Sequence, residues 1–488
     1  MTKREDAVAD LAVLGAGPAG LAAAVTAAER GLSVVLVDSA EQTGGQFWRH
    51  PDERHLESFT HPESTGHHHW DHYRQLRDRL NHAVAERQVT YLAGTQVWRI
   101  DRGAHFLLRT TKASGADTRA VGDRTVRATR LILATGAYDR QLPVPGWTTP
   151  GVMAAGGVQA LLKANQVRAG SRAVVAGTGP FLLSVAASLA DAGVEVVALC
   201  DANALSRWAR TPVRAIQEPA KLIEGVGYAA TFIRHRIPLR TRTIVTRIAG
   251  TDRATQVVLG RVDGRGRVRP GSEWTVDADL VALGWGFTPH LELAVGLGLQ
   301  TRIDADASLV AIADADQRSS VDGVYLAGEV CGVGGAIQSC AEGELAALTV
   351  AADAGRPDDA RARSRLRRRV ARGRRFAIGM HRASPVPAEW QSWLHDDTTV
   401  CRCEEVSAGE VRSTVRSLGA DDPRDVRVTA RPGMGMCQGR VCGFAVACLV
   451  ATETGRPATS TELEQLVTRP LATPIRVADL ALLAEEKD

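Results

Sequence analysis

Residues 10–38 read DLAVLGAGPAGLAAAVTAAERGLSVVLVD, and this stretch restricts the fold more than any other in the chain. The apolar run Leu11–Leu14 suits a strand buried on both faces of a parallel sheet. A turn of the form Gly15-x-Gly17-x-x-Gly20 follows, then alanines at helical spacing, then Gly31 as a helix stop and Ser33–Asp38 as a second strand. Gly15 permits the tight turn, Gly17 lets backbone approach a pyrophosphate, and Gly20 lets helix and strand come together. The helix N-terminus offers free N–H groups and partial positive charge to that phosphate, with Pro18 and Ala19 in its first turn. Asp38 closes the second strand and can accept from both hydroxyls of a ribose. Strand, turn, helix, strand and terminal acid in register predict a dinucleotide-binding βαβ unit.

A related unit recurs at 172–201, RAVVAGTGPFLLSVAASLADAGVEVVALCD, with Gly177 and Gly179 in the turn. Its third glycine position holds Leu182, whose bulk is expected to hold the helix farther from the strand. The second lobe therefore holds NAD(P), another adenine nucleotide, or nothing. Segment 130–147 is a buried strand with an Ala134-Thr135-Gly136 turn, 279–290 another strand with a glycine-rich turn, and 319–352 a strand, a turn with Gly328 and Glu329, and a long helix. The second unit is thus inserted in the first. The fold class is α/β with two Rossmann-like dinucleotide-binding domains, in an order that resembles the glutathione-reductase-like class, plus a small, mainly helical C-terminal domain.

The expected boundaries are 1–150 and 271–355 for the first domain and 151–270 for the insertion. An Arg-rich linker spans 356–395, a cysteine domain 396–455 and a C-terminal extension 456–488. Ten of the twenty residues from 356 to 375 are arginine, which reads as a solvated helix between domains, with a docking surface for another subunit as the second reading. A net charge of +4 is too small to argue for nucleic acid. The first seventeen residues carry charges and no apolar leader, and no apolar run approaches the ~18 residues of a membrane span. We expect a cytoplasmic chain without a transmembrane segment.

Eight cysteines stand at 200, 331, 340, 401, 403, 437, 442 and 448. Cys200, Cys331, Cys340 and Cys448 read as small buried hydrophobes. Cys401, Cys403, Cys437 and Cys442 form Cys-x-Cys and Cys-x4-Cys pairs, a spacing that serves a [2Fe–2S] cluster better than a zinc ribbon. Ser407 and Glu410 form a capping box that starts a helix after Cys403, with Gly419 as its stop. A second helix is expected to carry Cys442 in its first turn and to end at Gly455. The two helix N-termini are expected to converge on the thiols. The five histidines of 61–73 are expected in a solvated loop or helix start. Tyr138 and Asp139 are expected to do no more than pack.

GAGPAG with Asp38, the Ala134–Gly136 turn, GWGFTP (284–289) and GVYLAGE (323–329) resemble the two-dinucleotide-binding-domain flavoproteins. That resemblance implies FAD on Gly15, Gly17, Pro18, Ala19, Gly20 and Asp38, with Ala134, Thr135, Gly136, Gly328 and Glu329 beside it. The position of Glu329 is commonly Asp in that class, so Glu329 departs from it. No Cys-x-x-Cys or Cys-x4-Cys lies beside the flavin segments, which argues against disulfide reduction. GGQFWRHP (44–51), the stretch 134–157 and GTGPFLL (177–183) look like the FAD-containing α subunits of heteromeric amino-acid-type dehydrogenases, the group of opine oxidase, hydrogen cyanide synthase, and proline and hydroxyproline dehydrogenases. The resemblance places Gly45 and Gln46 beside the flavin and likens the cysteine segment to bacterioferritin-associated-ferredoxin-like [2Fe–2S] domains. It further implies an amino-acid-oxidase-like β subunit that oxidises an amino, imino or opine-type substrate, and a downstream electron acceptor. The alternatives are a self-contained NAD(P)H-dependent reductase and a non-catalytic structural subunit.

Overall fold

The computed structural model describes residues 8–53, 67–113, 125–209, 219–477 and 480–481. The first sheet begins as expected. β1 (Ala9–Leu14), α1 (Pro18–Glu29) and β2 (Val34–Val37) form a parallel unit in which Leu11 pairs with Val34 and Leu14 with Val37. After α2 (Trp70–Ala85) come β3 (Val89–Leu92), β4 (Thr95–Arg102), β5 (Phe106–Lys112) and β6 (Thr125–Leu133), and the sheet runs β3-β2-β1-β6-β5-β4. Alanine is what makes α1 work here. Every residue from Ala19 to Ala28 is buried, so larger side chains would hold the helix off its neighbours on both sides.

Strand β7 (Ala137–Asp139) leaves the first lobe, and β8 (Val152–Ala154), α3 (Ala155–Asn165), β9 (Arg172–Gly177), α4 (Phe181–Asp191), β10 (Glu195–Asp201), α5 (Pro219–Arg234) and β11 (Leu239–Thr241) build the second. A three-stranded antiparallel sheet follows, β12 (Thr243–Ala249), β13 (Gln256–Arg261) and β14 (Trp274–Asp277). β15 (Leu280–Gly284) then enters the second sheet, ordered β11-β10-β9-β15-β8, and pairs in parallel with both β9 and β8. This moves a predicted boundary. The return to the first lobe comes after Gly284 rather than at 271, because β15 lies inside the second sheet and β14 closes the small one.

β16 (Phe287–Pro289) pairs antiparallel with β7, so the outgoing and returning crossovers form one ribbon between the lobes. A hairpin of β17 (Thr301–Ile303) and β18 (Leu309–Ala311) follows, and β19 (Val324–Leu326) adds to β6 in parallel. Helix α6 (Ala336–Asp353) then packs along α1. Their approach depends on glycine, since a Cβ on Gly343 would lie 2.0 Å from the Ala19 carbonyl oxygen.

The arginine-rich helix α7 (Ala360–Ala383) is capped by Asp359, which accepts from the Ala362 N–H. It is more than a solvated linker. Arg361, Arg365, Arg367, Arg368, Arg369, Arg372 and Arg375 face solvent, but Val370, Ala377, Gly379 and Ala383 are buried. A Cβ on Gly373 would meet Gln338 Oε1 at 1.9 Å, so α7 is seated closely on α6.

The cysteine segment comprises a short ribbon of β20 (Thr399–Cys401) and β21 (Val406–Ser407) with α8 (Ala408–Leu418), α9 (Pro423–Ala430) and α10 (Gly443–Thr454). It does not have a core of its own. Cys401, Val411, Cys442 and Leu449 belong to one apolar cluster with Trp147, Trp285 and Val257 of the second lobe, and the Trp147 indole donates to the Thr399 carbonyl at 2.7 Å. The final described helix, α11 (Ser460–Val467), lies against the β17–β18 side of the first lobe, and Ala472 N–H donates to the Trp98 carbonyl at 2.8 Å. Among the described residues no helix is long and apolar enough to cross a membrane.

Candidate functional site

The first glycine turn has the form that the sequence demands. Gly15 adopts φ +101°, and a Cβ there would lie 2.3 Å from the Ala134 carbonyl oxygen. A Cβ on Gly20 would lie 1.7 Å from the Gly15 carbonyl oxygen, which excludes every other residue unless the turn opens. Gly45 (φ +59°) brings a second loop onto the first, since its Cβ would stand 2.8 Å from the Gly17 Cα. The Gly44 N–H closes this contact by donating to Ala16 O at 2.9 Å. Gly17 is the N-cap of α1 and supplies no side-chain cap, and the first turn carries no acid. Its N–H groups are therefore open to an anion.

Asp38 accepts from the N–H groups of Ala16 and Ala40, and burial raises its pKa. Ala134 and Thr135 lie directly against this turn, and Gly136 follows them. Thr135 Oγ1 donates to the His290 carbonyl at 2.7 Å, which ties them to the returning crossover. Gln46 is exposed. Behind this loop, His50 Nε2 and Tyr73 share Glu53, at 3.0 and 3.1 Å, and Arg77 joins at 3.0 Å. The His50 hydrogen bond, with the Arg77 pair, holds Glu53 down at about 2. Of the predicted histidine loop, His61 lies outside the described residues. His67 is buried, with Nε2 2.6 Å from the Arg49 carbonyl, and His68 Nε2 is 3.0 Å from the Tyr228 hydroxyl, so these two are packed rather than solvated.

Gly328 (φ +81°) and Glu329 stand on a single 3-10 turn below the N-terminus of α6. Burial lifts Glu329 to about 7 despite the Arg374 guanidinium nearby. Arg374 is a residue that charge patterning could not single out. From α7 it pairs with the fully buried Glu342 at 2.6 Å and donates to the Gly328 carbonyl at 3.0 Å and to the Gly332 carbonyl. Glu342 in turn accepts from the Gly328 N–H and from Gln338 Nε2, both at 2.8 Å.

The second glycine turn is different. Gly177 (φ +147°) presses against β15, where a Cβ would lie 1.7 Å from the Gly284 carbonyl oxygen. Leu182 is 1% exposed, and its side chain packs against Gly284. The face over Gly179 carries the chain's own segment after α7. Ser384 Cβ stands 3.9 Å from the position of a Gly179 Cβ. Thr178 Oγ1 donates to the Ser384 carbonyl at 3.1 Å, and Asn203 Nδ2 donates to the Pro385 carbonyl at 3.0 Å. Asp201, at the ribose-acid position, accepts from the Asn203 N–H at 2.8 Å and is pushed to about 6 by burial.

All eight cysteines are free thiols. Burial raises Cys200, Cys331 and Cys340 to about 12 and Cys448 to about 11, consistent with packing roles. The other four are gathered together. Cys442 lies beside both Cys401 and Cys437, and Cys437 lies beside Cys403. Gly433 N–H donates to Cys401 Sγ at 3.4 Å, and a Cβ on Gly435 would lie 2.4 Å from Cys403 Cβ, so the glycine loop fits tightly over the thiols. Among the described residues no three or more His, Cys, Asp or Glu side chains surround one point as a single metal ion needs. The capping box of Ser407 and Glu410, Gly419 and Gly455 sit as predicted at their helix ends. Cys442 is the N-cap of α10, one position before the predicted first turn. The expected convergence of two helix N-termini fails on the α8 side, where the capping box already occupies the N–H groups. The thiols instead receive N–H groups of their own loops, from Gly433 and Glu404 to Cys401 and from Gly439 and Val441 to Cys437. Arg440, between Cys437 and Cys442, pairs with buried Glu292 at 2.7 Å and fastens this loop to the first lobe beside Tyr138 and His290. Asp139 accepts from the Gly156 N–H at 3.2 Å, and burial raises it to about 6, so it anchors α3 to the crossover.

A family model for pyridine nucleotide-disulphide oxidoreductases matches residues 9–355. The chain belongs to that family. It is accordingly an FAD-dependent oxidoreductase, yet residues 9–355 contain only Cys200, Cys331 and Cys340, all buried and unpaired. The chain is 32% identical over 504 residues to the A-type subunit of opine oxidase from Agrobacterium tumefaciens, covering 99% of this chain and 95% of that one. It is 30% identical over 455 residues to the HcnB subunit of hydrogen cyanide synthase from Pseudomonas aeruginosa, covering 91% and 93%. The fold also matches the crystal structure of L-proline dehydrogenase from P. horikoshii, with a TM-score of 0.66 at 18% identity over 97% of this chain and 79% of that one.

Proposed function

We propose that this chain is the electron-transferring subunit of a heteromeric dehydrogenase or oxidase whose partner, an amino-acid-oxidase-like β subunit, oxidises an amino, imino or opine-type substrate. One observation carries the reading. Cys401, Cys442, Cys437 and Cys403 are gathered together on a domain that shares its core with the flavoprotein fold. The similarity to named oxidase and synthase subunits over nearly the whole length, cysteine segment included, supports it.

FAD fits the first lobe by the shape of the backbone. Gly15, Gly17 and Gly20 with Gly45 leave a side-chain-free face over the N–H groups of α1, where Pro18 and Ala19 form the first turn and would hold the pyrophosphate. Asp38 would hold the ribose, and Ala134–Gly136, Gln46, Gly328 and Glu329 would line the remainder. Four neighbouring thiols under a glycine-tight loop would suit a [2Fe–2S] cluster, which needs two sulfurs at each iron rather than four around one point. When bound, FAD would supply two-electron acceptance and the cluster one-electron transfer toward a downstream acceptor. The protein's own part is to hold the two sites in one rigid body, through the Arg440–Glu292 pair and the Trp147–Thr399 hydrogen bond.

A self-contained NAD(P)H reductase is disfavoured by the segment Ser384–Pro385, which stands over Gly179 where a dinucleotide backbone would lie. A purely structural role for FAD and cluster would leave both oxidised during turnover. The test is purification from the native source with the partner retained, followed by anaerobic addition of amino, imino and opine substrates. Bleaching of the flavin by one of them in the complex supports the reading. Activity of the isolated chain with no partner overturns it.

A further inference from the structure

Lys163 has no role in the scheme above, and its position is costly. It stands in the last turn of α3 and is only 4% exposed. Among the described residues its ammonium has neither a carboxylate nor a hydrogen-bond acceptor. The ring of Phe47 lies 5.9 Å away, and burial alone lowers the amine to about 8, with no neighbouring charge acting on it. An unpaired buried ammonium costs several kcal/mol even after relaxation. A desolvated cation–π contact returns about 2 kcal/mol, and less near the limit of its range, as at 5.9 Å, and the carbonyls at a helix C-terminus typically less than about 1 kcal/mol. The charge is therefore under-compensated.

Its surroundings indicate what is missing. Phe47 follows Gly45 and Gln46, and Gly45 is the residue whose Cα abuts Gly17 of the phosphate turn. On the other side, α3 is fixed at both lobes. Asp139 of the crossover receives the Gly156 N–H, and Gln159 Nε2 donates to Ser184 Oγ on α4 at 3.1 Å. Gly156, Gln159 and Lys163 are spaced i, i+3 and i+7 and so lie along one face of α3. The amine thus stands on a rigid wall between the two lobes, beside the loop proposed to carry the flavin.

We propose that Lys163 is a positioning residue that presents a fixed positive charge to the isoalloxazine ring of FAD. This rests on the FAD reading of the first lobe. Uptake of two electrons and one proton would leave the ring with one net negative charge. The Lys163 ammonium keeps its proton throughout and offsets that charge. The charge on a reduced ring would thus offset the cost of burying this ammonium.

The test compares Lys163→Met and Lys163→Arg in the full-length, FAD-loaded chain, using sulfite, which adds to the ring as an anion, and the flavin's two-electron potential. Lys163→Met is expected to weaken sulfite binding about tenfold, equivalent to a potential about 30 mV lower. Lys163→Arg is expected to stay within about threefold of the native chain, since the charge remains. Met at 163 is also expected to raise the unfolding midpoint of the FAD-free protein, because it removes an uncompensated charge. A lower midpoint together with native sulfite affinity means that Lys163 only packs, and overturns the proposal. FAD content on the same samples separates the two levels. FAD-replete Lys163→Met with native sulfite affinity and potential overturns this inference alone, whereas a native chain without FAD overturns the cofactor reading and this inference with it.

Discussion

Replacing Arg374 by Met tests whether the arginine-rich helix is a strut of the flavin lobe or a tether. The native guanidinium makes a 2.6 Å pair with Glu342, whose side chain is fully buried, while Arg374 keeps about a fifth of its own side chain in solvent. It also satisfies the carbonyls of Gly328 and Gly332. Met preserves the length and leaves the buried Glu342 carboxyl without its cation, with only the Gly328 N–H and Gln338 Nε2 for partners. Breaking a buried pair from one side costs roughly 3–5 kcal/mol, and the solvent edge of Arg374 argues for the lower end, about 3 kcal/mol. That is a large share of the roughly 5–15 kcal/mol that holds a domain folded. Because the strain falls on the Gly328–Glu329 turn, FAD release is expected to move together with unfolding. The assay is urea unfolding followed in parallel by FAD fluorescence and far-UV circular dichroism. The double variant Arg374→Met/Glu342→Leu removes both charges and is expected to recover most of the loss, since an apolar pair of similar volume is often neutral or better. A single variant within about 1 kcal/mol of the native chain, or a double variant worse than the single, would refute the reasoning.

Other outcomes follow from the same geometry. Gly20→Ala puts a Cβ 1.7 Å from the Gly15 carbonyl oxygen, so the purified protein is expected to carry little or no FAD, read from its visible spectrum. Cys401→Ser is expected to remove iron and its visible absorbance while FAD stays bound; unchanged iron would sink the cluster assignment. Glu53 has a folded pKa held at about 2, below its ordinary 4.5, so the stability it contributes is complete above about 4.5 and is lost as pH falls toward 2. Glu53→Gln is expected to flatten the acid limb of an unfolding-midpoint profile across that window and to leave the neutral limb parallel to native. NADH added to the purified chain is expected to bleach its flavin no faster than a buffer control, because Ser384 and Pro385 cover the second glycine turn.

The features legible in the sequence are those set by local backbone chemistry. Gly15 and Gly20 announce themselves because only glycine tolerates the close approaches found there. Ser407 with Glu410 and Gly419 bracket α8 because capping is a matter of three or four residues. What could not be read depends on partners distant in the chain. Arg374 sits among ten arginines, and nothing local distinguishes the one that turns inward to Glu342 from those facing solvent. Arg440 finds Glu292 across nearly 150 positions, and Ser384 reaches Gly179 only because α7 ends there. The lobe boundary is misplaced from sequence for a similar reason, since β15 resembles any buried strand until its parallel partners β8 and β9 are known. Lys163 is hidden in an ordinary helical sequence, and only its burial reveals it.

The central claim is that electrons from a partner-bound substrate cross FAD and a cluster held by Cys401, Cys403, Cys437 and Cys442. The most direct measurement is on the complex purified by a tag on this chain, with iron, acid-labile sulfide and flavin quantified before and after anaerobic substrate addition. The account predicts two irons and two sulfides per chain, a co-purifying partner polypeptide, and reduction of both flavin and cluster by an amino, imino or opine substrate. A chain that purifies alone without iron, and whose FAD is reduced by NADH, would contradict it.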